Sequence, residues 1–118
     1  MILSKDAILG VKDLKTIEVD VPEWGGVVIV KELSGKQRDE FEQACLAKST
    51  GKNKVDPRGL KALLLSLTIV DEKGDYIFSK EDLDLLNDKS ASAINKIFEV
   101  SQNLSALGLA GVEEKEKN

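Results

Sequence analysis

The sequence predicts an α+β domain, mainly α: an N-terminal β-hairpin followed by about four helices. Three observations carry this expectation. Thr16–Val21 alternates, with Ile17, Val19 and Val21 on one face and Glu18 and Asp20 on the other, the period of a half-buried strand. A second β-branched run, Val27–Glu32, follows across the turn cluster Pro22-Glu23-Trp24-Gly25-Gly26. Further on, Leu60, Leu63, Leu64 and Leu67 recur at i, i+3, i+4 and i+7, the stripe of an amphipathic helix.

The elements follow in order. Ser4 caps a short turn through Lys5–Leu9, and Gly10 stops it. The hairpin spans about 16–32 with a five-residue connection. Ser34-Gly35-Lys36-Gln37 has the spacing of a capping box, in which a Ser hydroxyl and a Gln side chain satisfy each other's backbone amides. It opens a helix over about 35–47 with Phe41, Ala44 and Cys45 on its apolar face, and Lys48–Val55 then reads as a polar loop. Asp56-Pro57 gives the next helix, about 57–69, an N-cap and a proline whose missing N–H is harmless at the first position. Leu65 and Ile69 broaden its stripe, so it should be the most buried helix. Asp71–Asp75 is a turn and Tyr76-Ile77-Phe78 a short extended segment. Ser79 caps a helix of about 80–87 carrying Leu83 and Leu86. Ser90 caps the last, about 91–104, with Ile94, Ile97 and Phe98 facing inward. Residues 1–112 are expected to form a single globular domain and 113–118 a charged, frayed tail.

Composition narrows the function. The chain has 118 residues, 42% of them hydrophobic, enough for one core. It has no His, which removes the commonest general base and zinc ligand, and a single cysteine, Cys45, which excludes an internal disulfide. No metal, no cofactor and no enzymatic activity are expected. The longest apolar run, Leu63–Val70, contains Ser66 and Thr68 and is too short for a membrane span. The N-terminus lacks the pattern of a signal peptide, so a soluble, reduced, cytoplasmic protein is expected. With 17 basic against 21 acidic side chains and a net charge of −4, nucleic acid is not an expected partner.

Candidate chemical motifs fall away on inspection. A calcium loop starting at Asp71 needs Gly at its sixth position, where Tyr76 stands. Gly51-Lys52-Asn53 has neither the leading glycine nor the hydroxyl of a phosphate-binding loop. Cys45, between Ala44 and Leu46, reads as a small core residue. Acidic neighbours such as Glu81 and Asp84 read as a solvated helix face.

Two features survive. Trp24, the only tryptophan, stands at the hairpin tip between Glu23 and two glycines; it either folds back to close one end of the core or is an aromatic anchor for another protein. Charge is also segregated. Lys48, Lys52, Lys54, Arg58 and Lys61 face only Asp56 over residues 48–61, whereas 71–88 holds seven acids against Lys73 and Lys80. This is either a solvated surface or a pair of opposite patches through which copies associate head to tail.

The residues also resemble a known family. Pro22-Glu23-Trp24-Gly25-Gly26, with Val28-x-Val30-Lys31-Glu32-Leu33-Ser34-Gly35-x-x-Arg38-Asp39-x-Phe41-Glu42, is similar to the opening of tail assembly chaperones from long, non-contractile-tailed bacteriophages and their prophages. A second block agrees: Val70-Asp71-Glu72-Lys73-Gly74-Asp75-Tyr76-Ile77-Phe78-Ser79-x-Glu81-Asp82, then Leu86 and Lys89-Ser90. Lys73 and Tyr76 depart from the family's pattern. The resemblance implies a non-enzymatic morphogenesis factor that coats the tape-measure protein, helps recruit tail-tube subunits, works in the bacterial cytoplasm and is absent from the mature virion. Leu104, Leu107 and Leu109, spaced around glycines, are read either as a weak hydrophobic contact for such a client or as ordinary C-terminal packing. A permanent tail or connector component and a small host adaptor protein are the alternatives.

Overall fold

Secondary structure follows the capping and patterning signals closely. The computed structural model describes residues 1–50 and 57–106. The order is α1 (Lys5–Gly10), β1 (Thr16–Val21), β2 (Gly26–Lys31), α2 (Gly35–Thr50), α3 (Pro57–Thr68), β3 (Ile69–Val70), α4 (Leu83–Asn87) and α5 (Ala91–Ser105). Single 3₁₀ turns at Pro22–Trp24 and Lys80–Asp82 precede β2 and α4.

The Ser4, Ser34 and Ser90 caps form as the sequence implies, whereas Gly10 is the last residue of α1 and Asp56, read as the cap of α3, lies outside the described residues. The Gln37 amide donates to Ser34 Oγ at 3.2 Å, and the Ser34 amide to Gln37 Oε1 at 3.0 Å, so two otherwise orphaned donors of α2 are satisfied. The Ala7 amide donates to Ser4 Oγ at 3.2 Å and the Ala93 amide to Ser90 Oγ at 3.3 Å. Ahead of α4, the Ser79 amide and hydroxyl both donate to Asp82 Oδ2, at 2.9 and 3.2 Å.

Several boundaries, and the burial of Ile17, differ from the sequence reading. The hairpin connection is four residues, because Gly26 already pairs with Val21. Gly25, at φ 75°, makes that tight return possible: its amide donates to the Pro22 carbonyl at 3.0 Å in a left-handed conformation that glycine adopts without strain. The second helix runs on to Thr50, so residues 48–50 are helical rather than loop. The third stops at Thr68; Ile69 and Val70 leave it to pair antiparallel with Val30 and Ile29, adding a third strand in the order β1-β2-β3. Lastly, Ile17 shares a face with Val19 and Val21 but is exposed, since the helices cover the sheet only toward Val19 and Val21.

The core lies between that sheet face and the helices. Val19, Val21, Val30 and Ile69 meet Ala62 and Leu65 of α3, Leu86 of α4, and Ala93, Ile94 and Ile97 of α5. Leu33, Phe41, Leu60 and Leu64 form a second cluster under α2. Thus α3 packs against α2, α4 and α5 at once and is the most buried helix, as its leucine pattern implies. Its polar residues tolerate this because they are satisfied locally: Ser66 donates to the Leu63 carbonyl at 2.7 Å and Thr68 to the Leu64 carbonyl at 2.8 Å. The Thr68 hydroxyl, its proton committed to Leu64, accepts from Ser101 of α5 at 3.1 Å. Ser105, at the end of α5, accepts the Leu33 amide at 2.9 Å and so ties the last helix to the strand–helix link 72 residues earlier.

Candidate interaction surface

Trp24 sits on the 3₁₀ turn at the hairpin tip, half-buried against the main core. Its Nε1 is shut off from solvent with no hydrogen-bond partner. The tip is pinned to α5 through two residues that precede Trp24. Ser92 donates to Glu23 Oε2 at 3.0 Å, and Lys96 Nζ donates to the Asp20 carbonyl. Glu23's own backbone amide, and next the Ser92 hydroxyl, hold its carboxyl below the ordinary glutamate range, with Lys96 adding to the effect.

Beside Trp24 lies an apolar groove of about 460 Å³ lined by Trp24, Ile77, Phe78, Leu85 and Leu86, with Asp82 and Lys89 at its rim. Three separate segments build it. The hairpin tip supplies one wall, and α4 supplies Leu85 and Leu86. The segment after the Asp71–Asp75 turn supplies Ile77 and Phe78. That turn is closed by Asp71 Oδ1, which accepts from the Lys73 and Asp75 amides at 2.9 and 3.0 Å, and by Gly74 at φ 89°. Tyr76 then pairs with Val70, and the Ile77 amide reaches the Ile69 carbonyl, so the segment returns along β3 to the groove.

The other residues singled out in the sequence are dispersed. Lys61 lies on the α3–α5 seam, its Nζ donating to Asn95 Oδ1 at 2.8 Å and standing 5.6 Å from the Phe98 ring centroid. Leu104 is half-buried against the main core on α5. Trp24 and Leu104 therefore pack against one cluster, whereas Lys61 stands apart. Lys48, Lys52, Lys54, Arg58, Leu107 and Leu109, and the 113–118 tail, lie outside the residues whose side chains the structure describes. The acidic stretch is partly self-satisfied through Asp71 and Asp82, and Lys80 pairs with Glu40 at 3.2 Å.

Sequence reasoning missed the groove. Leu85 falls off the stripe that Leu83 and Leu86 define, and Ile77 and Phe78 show no period; nothing in the sequence brings them to the Trp24 turn. Burial pushes the Cys45 thiol up, and Glu42 pushes it further, so it stays protonated at neutral pH. Among the described residues no group of three His, Cys, Asp or Glu side chains is placed to hold a metal ion, and no helix is long and apolar enough to cross a membrane.

The sequence model of the family described as phage tail assembly chaperone matches residues 5–118. The fold is similar to that of the bacteriophage HK97 tail assembly chaperone, with a TM-score of 0.61 and 16% identity over 77% of this chain and 85% of that one. No curated protein matches the chain in sequence.

Proposed function

The chain belongs to the phage tail assembly chaperone family, and on that premise we propose that it binds the tape-measure protein of a long-tailed phage or prophage and helps recruit tail-tube subunits around it. The family match over residues 5–118 carries this reading. The groove beside Trp24 supports it, because an apolar trough with a charged rim suits a helical client laid face-down better than it suits a small polar substrate. The protein acts by contact rather than turnover. It works in the host cytoplasm and leaves before the virion is complete.

Co-expression with the tape-measure protein of the same phage or prophage is the decisive experiment. The client stays soluble and co-purifies with this chain if the reading holds. A client that aggregates regardless, with no complex on pull-down, refutes it. Mass spectrometry of purified virions tests the departure, since a stoichiometric amount would make the protein a structural tail component.

Self-association through opposite charge patches is a further part of the proposal. Lys48, Lys52, Lys54 and Arg58 supply the basic side and the 71–88 stretch the acidic side. Association of this kind weakens between about 0.05 and 0.5 M salt, as the screening length contracts from roughly 14 Å to 4 Å. A mass by light scattering that is unchanged across that range rules it out.

A further inference from the structure

We propose that the hairpin tip is a hinged strap with two positions: closed, with Trp24 against the core, and open, with its indole turned out to solvent. A clasp running from Glu23 through Ser92 to Ser90 decides between them. This goes beyond the client-binding reading and does not depend on it.

The closed position is finely balanced. Trp24 packs, partly buried, against the main core and supplies one wall of the groove. Its Nε1 is sealed from solvent, and among the described residues no group accepts its proton. Covering an indole stabilises the closed position, but an unpaired buried N–H opposes it by a similar amount. The two effects nearly cancel, so a small polar tie is enough to set the balance. Swinging out gives up the apolar contact and lets the indole N–H donate to water.

The tip is also built to move. Val21 is fully buried and pairs with Gly26, which sets the pivot at the end of the sheet. A Cβ added at Gly25 or Gly26 would meet nothing within 4 Å beyond its chain neighbours, so the limb after Trp24 stands clear of the fold. The limb before Trp24 is the one that is held. Lys96 Nζ donates to the Asp20 carbonyl, and Ser92 donates to Glu23 Oε2 at 3.0 Å.

The clasp continues into α5. Ser92 spends its one hydroxyl proton on Glu23, so it accepts from Ser90, whose Oγ lies 3.0 Å away. Ser90 Oγ in turn accepts the Ala93 amide at 3.3 Å. Both hydroxyl protons therefore point toward Glu23, an order that its negative charge favours and that strengthens each bond through the next. The tip is thus joined to the cap of α5 across 69 residues of sequence. Both hydroxyl bonds are exposed, so water competes for them and the clasp opens readily.

The test is hydrogen exchange of the Trp24 indole proton by NMR, with acrylamide quenching of Trp24 fluorescence, on wild type, Glu23→Ala, Ser92→Ala and the double variant. In the wild type the indole proton should be protected at least about 10-fold less than the amide of fully buried Ile97, because the strap opens without the core. Each single variant should raise the quenching constant at least about 2-fold with an unchanged far-UV circular dichroism spectrum. The double variant should match the singles, since both ends belong to one bond. Glu18→Ala, an exposed acid of the same hairpin outside the clasp, should quench like the wild type. A wild-type indole proton as protected as the Ile97 amide overturns the proposal, whatever the variants do. So does a single variant that quenches like the wild type, a double variant whose effect is the sum of the singles, or a Glu18→Ala that quenches like Glu23→Ala.

Discussion

Replacing Ser105 with Ala removes the hydroxyl that accepts the Leu33 amide at 2.9 Å across 72 residues of sequence. Both residues are buried, at 7% and 6% exposure, so water does not replace the lost acceptor. A buried backbone N–H left without a partner costs about 1–3 kcal/mol. Against the roughly 6–18 kcal/mol expected of a chain this long, that is a sizeable fraction. With a urea slope of about 1.5 kcal/mol per M, the unfolding midpoint falls by roughly 0.7–2 M. Trp24, half-buried against the core and the only tryptophan, is a built-in fluorescence probe for the titration. Asn103→Ala, an exposed truncation on the same helix, is the control and should stay within about 0.5 kcal/mol. Amide exchange gives an independent reading: the Leu33 N–H, protected in the wild type, should exchange roughly 10-fold or more faster in the variant. An unchanged midpoint together with a still-protected Leu33 amide would refute the reasoning.

Three further outcomes are expected. Ile97→Ala opens a void in the centre of the main core, where Ile97 is fully buried, and should cost about 2–5 kcal/mol by the same denaturation assay; a cost under about 1 kcal/mol would mean the helices collapse to fill it. Ser34→Ala breaks the box at the start of α2 and should cost about 0.5–2 kcal/mol, with Gln37→Ala costing less because the Ser34 cap on the Gln37 amide remains. Glu23 should titrate, by carboxyl-carbon NMR, below an ordinary glutamate, and Ser92→Ala should raise its midpoint. Because its folded value lies below the unfolded one, its contribution to stability is complete above the ordinary glutamate range and is lost as pH falls through the depressed value. A midpoint at or above that of a free glutamate contradicts this.

What could be read from the chain alone divides along physical lines. Local signals were legible, because they act within a turn or two of backbone. The Ser34–Gln37 box, the Ser4 and Ser90 caps, the alternation of Val19 and Val21, and the leucine-dense third helix all appear where their residue types put them. Contacts that depend on who arrives from elsewhere were not. A two-residue strand has no period, so Ile69 and Val70 read as the end of a helix; only the open edge of β2 makes them a strand. Ile17 matches Val19 in pattern, but its burial depends on how far α5 extends over the sheet. Ser101 and Ser105 look like surface serines until their partners Thr68 and Leu33 are known. The groove was hidden for the same reason: its walls come from three segments whose meeting leaves no mark on any one of them. Trp24 alone was flagged, and it is the one wall residue whose local setting, a lone aromatic on a glycine turn, was unusual.

The Leu33–Ser105 tie also governs when this molecule can become itself. The sheet's inner face waits for α5, and α5 lies at the far end of the described chain. During synthesis the ribosome therefore delivers the hairpin and the leucine-rich third helix long before their cover. A chain interrupted ahead of α5 would leave that apolar face uncovered and open to proteases.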